Sequence, residues 1–209
     1  MVTSSAWAKA AAHEGGPVRY GRQVGDIELV VADTDALSSA VLRQVRALMD
    51  VAFDDPDEPD EAFGDTDWDH ALGGTHVLVL DGDGAVLSHA SVVDRIIDVA
   101  GRPLRTGYVE AMATQPSAQG RGLGSRVMAR IGEVIVARHQ LGALATGVHP
   151  FYEQLGWERW EGPLFLRRGE EIVRTPEDDD AIMVLRVDRS LVPDLSVPIS
   201  CDDRPGNVW

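Results

Sequence analysis

The sequence predicts an α+β domain in which a mixed, mostly antiparallel central sheet is flanked by helices. Three observations predict it. Leu37, Val41, Leu42, Val45, Leu48 and Met49 recur at three and four residues, the period of one helix face. Two long β-type runs, Val86–Val99 and residues 104–114, flank the turn Ala100-Gly101-Arg102-Pro103 and read as an antiparallel meander. A strand, a glycine-rich turn and a second amphipathic helix then follow one another, with no parallel β-α-β repeat after them.

In chain order, residues 1–26 are rich in Ala, Gly and Ser without sustained periodicity, so they are expected to form a tail, and residues 27–209 a single domain. Residues 27–31 read as the first strand, ahead of the helix carried by Leu37 to Met49. Residues 66–72 form a short helix stopped by Gly73-Gly74, and 76–80 a Val- and Leu-rich strand ending at the turn Asp81-Gly82-Asp83-Gly84. Leu123, Val127, Ile131, Val134 and Ile135 mark the helix after the glycine-rich turn. Residues 141–146 follow as a strand and 150–155 as a short helix capped by Gly156, after which strands and turns alternate.

Composition excludes several classes. The only apolar run of the N-terminal segment, near Ala6 to Ala12, is interrupted by Lys9, so neither a secretory h-region nor a membrane span is expected and the protein is expected to stay soluble in the cytoplasm. Cys201 is the single cysteine, so no internal disulfide and no thiolate zinc framework can form. Nineteen Lys and Arg against 34 Asp and Glu give a net charge of −15, which repels a phosphate backbone and argues against nucleic acid. The acids cluster at Asp54, Asp55, Asp57, Glu58, Asp60, Glu61, Asp65, Asp67 and Asp69, and again at 177–180. Such runs are either solvated loop surface or one wall of a cleft for a polycation.

The turn is Gln119-Gly120-Arg121-Gly122-Leu123-Gly124. A glycine-rich approach to a helix start leaves unpaired N–H groups at the positive end of the helix dipole, a place for a pyrophosphate. Asp67, Asp69 and His70 lack any recognised metal-ligand spacing, and no metal is assigned.

Val109-Glu110-Ala111-Met112-Ala113-Thr114 followed by this turn resembles motif A of the GNAT superfamily, and Phe151-Tyr152-Glu153-Gln154-Leu155-Gly156-Trp157 is similar to its downstream F/L-Y-x-x-x-G-F/W segment. The resemblance narrows to the aminoglycoside 2'-N-acetyltransferases through Leu72-Gly73-Gly74-Thr75-His76, Gly107-Tyr108-Val109-Glu110, Gln140-Leu141-Gly142-Ala143-Leu144, Thr175-Pro176-Glu177-Asp178-Asp179 and Cys201-Asp202-Asp203-Arg204-Pro205-Gly206-Asn207-Val208-Trp209, all in the same order. It implies the GNAT acyltransferase fold, acetyl-CoA as co-substrate and, from related enzymes, a homodimer. It further implies that backbone groups near Met112 and Thr114 hold the pantetheine arm, and that amides of Gln119, Gly120, Arg121, Gly122, Leu123, Gly124 and Ser125 surround the pyrophosphate. Asp67, Glu110, Asp178, Asn207 and Trp209, the last through its carboxylate, would then meet the cationic substrate.

The implied substrate is an aminoglycoside of the gentamicin or tobramycin type, or kasugamycin, acetylated at the 2'-amine. Three positions depart from the family pattern: Ala62 and Asn207 stand where acids are usual, and Asp203 replaces an aromatic. The alternatives are another polyamine or metabolite amine as substrate, or a non-catalytic module that binds the drug or acetyl-CoA. The chemistry needs a base for the protonated amine, directly or through a water, and a proton donor for the departing thiolate; Glu110 and Tyr152 fit those roles. The plainer alternatives are a Glu110 carboxylate paired with Arg105 or another base, and a core tyrosine at 152.

Overall fold

The computed structural model describes residues 18–20, 27–54 and 62–209. Asp55, Asp57, Glu58, Asp60 and Glu61 of the first acidic cluster, and most of the expected tail, lie outside the described residues. Within that tail, Val18–Tyr20 forms strand β1, antiparallel to β2 (Ile27–Asp33), so the sheet begins earlier than the composition suggests. β2, β3 (Thr75–Asp81), β4 (Val86–Val99) and β5 (Arg102–Thr114) continue as an antiparallel meander.

Helix α1 (Ser39–Ala52) lies between β2 and β3 in sequence and buries the face of Val45, Leu48 and Met49 against the sheet. The Ser38 hydroxyl caps it by accepting from the Val41 N–H. The short helix α2 (Asp65–Ala71) carries Asp65 and Asp67 in its first turn, where the dipole favours acids. On the opposite face from α1, α3 (Leu123–Arg138) buries Leu123, Val127, Ile131 and Ile135 with Val77, Ala90 and Val109 of the strands.

Two features of the sheet position the site. β5 pairs in parallel with β6 (Leu141–Ala145) only over Thr106–Tyr108 against Leu141–Ala143, and beyond that the two strands part. Just past the parting, β5 carries a bulge: His89 faces Ala113 and Ser91 faces Glu110, so Ala90 opposes both Ala111 and Met112. Ala111 sits there at φ +50°, a region that L residues enter at a cost of about 1–2 kcal/mol.

The far side of the gap is built from β6, β10 (Ile182–Arg186) and β7 (Glu158–Arg159), with α4 (His149–Glu153) between β6 and β7 in the chain. β4 outlasts β3, and β11 (Ile199–Asp202) takes up the rest of that edge, pairing Ile97–Val99. β11 also runs parallel to β8 (Leu164–Arg168), which pairs with β9 (Glu171–Arg174). The fold is α+β, as the sequence predicts, with a curled mixed sheet and helices on its faces.

Candidate active site at the parting of two strands

The glycine-rich turn leads into α3 through Gly122, whose φ of +72° is a left-handed conformation that suits glycine. Gln119, Gly120, Arg121 and Gly122 are exposed, whereas Leu123 is buried and anchors the helix start. The amides of Leu123, Gly124 and Ser125 have no partner one turn back, so they are free to meet an anion. Gly124 packs tightly: a Cβ there would lie 2.8 Å from Met112 Cε, 3.2 Å from Thr114 Oγ1 and 3.5 Å from Phe151. The end of β5, the start of α3 and the short helix α4 therefore meet at one glycine. Thr114 Oγ1 is itself 2.8 Å from Ser88 Oγ, and Gln119 Nε2 donates to the Thr114 carbonyl at 3.4 Å, which ties the turn to the end of β5.

Glu110 lies on β5 just before the bulge, its side chain only 15% exposed. Its partner is Arg204, with Nη1 2.9 Å from Oε1, and not Arg105. Burial pushes the Glu110 carboxyl up and Arg204 pulls it down, with burial prevailing. Arg204 arrives from the segment after β11, where its Nε donates to the Asn207 carbonyl and its guanidinium lies 5.7 Å from the centre of the Tyr108 ring. Arg95 sits over the same ring at 4.7 Å and donates to the Val208 carbonyl at 2.8 Å. Two guanidiniums on one buried ring thus hold the segment after β11 against β4 and β5.

Among the residues expected to meet a cationic substrate, Asp67 joins Glu110: the two carboxylates are close enough for Asp67 to help raise the Glu110 carboxyl. One Asp67 oxygen is engaged, because Oδ2 accepts from the Gly64 N–H at 2.8 Å and closes the first turn of α2. Asn207 is exposed. The ring of Trp209, whose carboxylate is expected to meet the substrate, is 3% exposed and packs in the core with Tyr108, Trp160 and Leu166; among the described residues its indole N–H has no hydrogen-bond partner. Its apolar bulk gains more from burial than from lining an open cleft.

Asp178 stands across the gap. It ends a 3₁₀ turn, Pro176–Asp178, in the loop that hydrogen-bonds the end of β6 and the start of α4: Thr146 N–H donates to the Ala181 carbonyl, and His149 Nε2 lies 2.7 Å from the Asp180 carbonyl oxygen. Burial and the neighbouring acids raise the Asp178 carboxyl, partly offset by Thr175. No contact joins Asp178 directly to Glu110 among the described residues. Tyr152 lies on α4, 9% exposed, with Phe151 and Trp157 edge-on at ring separations of 4.9 and 6.4 Å. Burial pushes its hydroxyl up to about 12, with a hydrogen bond to the Thr146 side chain acting the other way. His139 is occupied by Asp94 at 2.6 Å.

Sequence reasoning missed Arg204, Arg95 and Tyr108 as neighbours of Glu110. Arg204 lies within the segment Cys201 to Trp209, but its pairing depends on how β11 docks. Two clefts of about 660 and 440 Å³ lie around His139 at the C-terminal end of α3. The helix has 16 residues, a length of about 24 Å, so that end is far from the glycine turn.

An acetyltransferase (GNAT) domain model matches residues 33–160. An aminoglycoside 2'-N-acetyltransferase of Mycolicibacterium fortuitum is 39% identical over 151 residues, which is 70% of this chain and 77% of that protein. In fold the chain is similar to a GNAT family N-acetyltransferase of Escherichia coli solved with CoA, at a TM-score of 0.62 and 16% identity, covering 90% of this chain and 97% of the other. A GCN5-related N-acetyltransferase of Kribbella flavida aligns at a TM-score of 0.50 and 22% identity over 66% of this chain and 34% of that one.

Proposed function

Because the chain belongs to the GNAT acetyltransferase family, on the branch of the aminoglycoside 2'-N-acetyltransferases, we propose that it moves the acetyl group of acetyl-CoA onto the 2'-amine of an aminoglycoside. The observation that carries the reading is the meeting of the glycine turn with Met112 and Thr114 at Gly124, beside the parting of β5 and β6. An extended thioester arm fits such a gap: its pyrophosphate would take the amides of residues 119–125, and its pantetheine the backbone edge of Met112 and Thr114 that β6 leaves uncovered.

The chemistry follows from the side chains on either side. A protonated amine loses its first proton through a water to Glu110, whose raised carboxyl makes it a better base than a solvent-exposed glutamate. The neutral nitrogen attacks the thioester carbon, the C–S bond breaks, and the second nitrogen proton ends on sulfur. Tyr152, with its hydroxyl near 12, stays protonated at neutral pH and donates a hydrogen bond to the departing sulfur. A thiolate whose conjugate acid titrates near 8.5 cannot strip that phenol at equilibrium, so Tyr152 stabilises developing charge and is not a net proton source.

Asp67 and Glu110 on one side and Asp178 on the other supply acids for substrate ammonium groups, against the guanidiniums of Arg204 and Arg95 beside Glu110. Thiol release measured across gentamicin- and tobramycin-type drugs, kasugamycin, spermidine and simple metabolite amines tests the reading. The expected result is turnover with at least one aminoglycoside, and a Tyr152→Phe variant slowed by about 10²–10³ in kcat with acetyl-CoA affinity unchanged. Turnover confined to the polyamine or metabolite amines transfers the reading to that substrate class. Binding without turnover would make the protein a sensor or sequestering module.

A further inference from the structure

Two histidines outside this chemistry are buried side by side in the sheet, His76 on β3 and His89 on β4, each fully covered by its neighbours. They belong to one line of short contacts. Thr34 Oγ1 is 2.8 Å from His76 Nε2, His76 Nδ1 is 2.8 Å from His89 Nε2, and His89 Nδ1 is 2.8 Å from the carbonyl oxygen of Ala111. The last contact sets the direction of every proton. A carbonyl only accepts, so His89 carries its proton on Nδ1 and presents a bare Nε2. His76 must then donate from Nδ1, which leaves its own Nε2 as an acceptor for the Thr34 hydroxyl at 2.8 Å, in preference to the Gly74 carbonyl that the same hydroxyl reaches at 3.2 Å. The opposite arrangement would set the bare Nδ1 of His89 against the carbonyl lone pairs at 2.8 Å. Both rings are held neutral by burial, His76 down to about 4 and His89 down to about 3.

The end of the line is the bulge. Ala111 has no register partner on β4, holds a positive φ, and lies between Glu110 and Met112. We propose that His76 and His89 are positioning residues for the acetyl-CoA site: by holding the Ala111 carbonyl they keep the bulge, and with it the backbone groups of Met112 and Thr114, aimed into the gap beside β6. This rests on the acetyl-CoA reading above. Removing His89 leaves the half-buried Ala111 carbonyl without its donor in a strained bulge, and the cheapest relief is for residues 110–113 to rotate. The edge offered to the thioester arm would rotate with them.

The test has two independent arms. Nitrogen-15 NMR of the wild-type protein labelled at histidine should show both rings neutral at pH 7 with the proton on Nδ1; a proton on Nε2 of either ring overturns the proposal. Calorimetry with acetyl-CoA should show His89→Leu, folded by circular dichroism, binding about tenfold more weakly or worse. His89→Asn places an amide N–H where Nδ1 stood and should restore affinity to within about threefold. A purely structural histidine would lower the melting temperature in both variants and leave acetyl-CoA affinity unmoved, which overturns the proposal, as does an asparagine variant no better than leucine. Wild-type protein that does not bind acetyl-CoA overturns the functional reading as well, whereas wild-type binding with an unaffected leucine variant overturns this inference alone.

Discussion

Glu110 and Tyr152 are legible in the sequence because each sits inside a short motif whose neighbours name its element. What surrounds them is not. The Arg204 contact to Glu110, the Arg95 and Arg204 guanidiniums over Tyr108, and the His76 to His89 contact all join residues on different elements. Local pattern carries no information about such pairs, although a histidine inside each of two apolar strands was a visible oddity. The histidines give a titration prediction. Their folded pKa values, about 4 and about 3, lie below the unfolded value of about 6.5, so between those limits the unfolded chain binds more protons than the native one. Stability is full above about pH 6.5 and falls as pH drops, by up to about 1.4 kcal/mol per pH unit for each ring. The raised carboxyl of Glu110 works in the opposite sense, since there the native state binds the extra proton. Thermal melts from pH 7 to pH 5 should show the melting temperature of the wild type falling, and a His76→Leu, His89→Leu double variant should show a flatter profile. Parallel profiles would remove the histidines from the account.

At the scale of elements, periodicity located α1, α3 and the four strands of the meander, because each buries a regular face. It did not locate β1, or the two-residue β7, whose pairing is decided by neighbours and not by any pattern of their own. The bulge at Ala111 was equally hidden, since register is a property of two strands together. The start of α3 lies where the sequence places it, directly after the glycine turn, and the pyrophosphate proposed there is open to a sharp test. In Gly124→Asp a Cβ would press on Met112 and Thr114, and a carboxylate would stand where the proposed pyrophosphate lies. An acid in the first turn of a helix is favourable to the helix itself, so this variant should separate binding from stability. Acetyl-CoA affinity by calorimetry should fall by at least about tenfold, a loss of about 1.4 kcal/mol, with the melting temperature changing little. Unchanged affinity would move the pyrophosphate elsewhere.

For the molecule as a whole, the α+β class and the mostly antiparallel character of the sheet were readable from the succession of strands and helices, whereas the sheet order, with β10 between β6 and β7 and β11 on the edge of β4, was not, and the acidic character was readable only as a sum. A net charge of −15 draws cations from beyond contact distance, with Asp67 and Glu110 on one wall of the gap and the 177–180 loop by the other. Screening weakens that attraction, so raising salt from about 0.05 to 0.5 M should raise the Michaelis constant for a polycationic aminoglycoside several-fold, and that for a singly charged amine less. Steady-state kinetics at the two salt levels decide it; equal shifts would mean that substrate charge is read by contact alone. The shared edge of β4 has a consequence for how the chain is made. β3 covers one stretch of that edge within a hairpin, but Ile97–Val99 pairs with β11, and Arg95 reaches a carbonyl 113 residues further on. During synthesis the meander emerges long before its last neighbour, leaving a bare strand edge beside the unpartnered Glu110 and Tyr108. An edge of that kind is open to pairing with other chains until β11 leaves the ribosome, and only then does the buried Glu110 carboxylate acquire Arg204 as its partner.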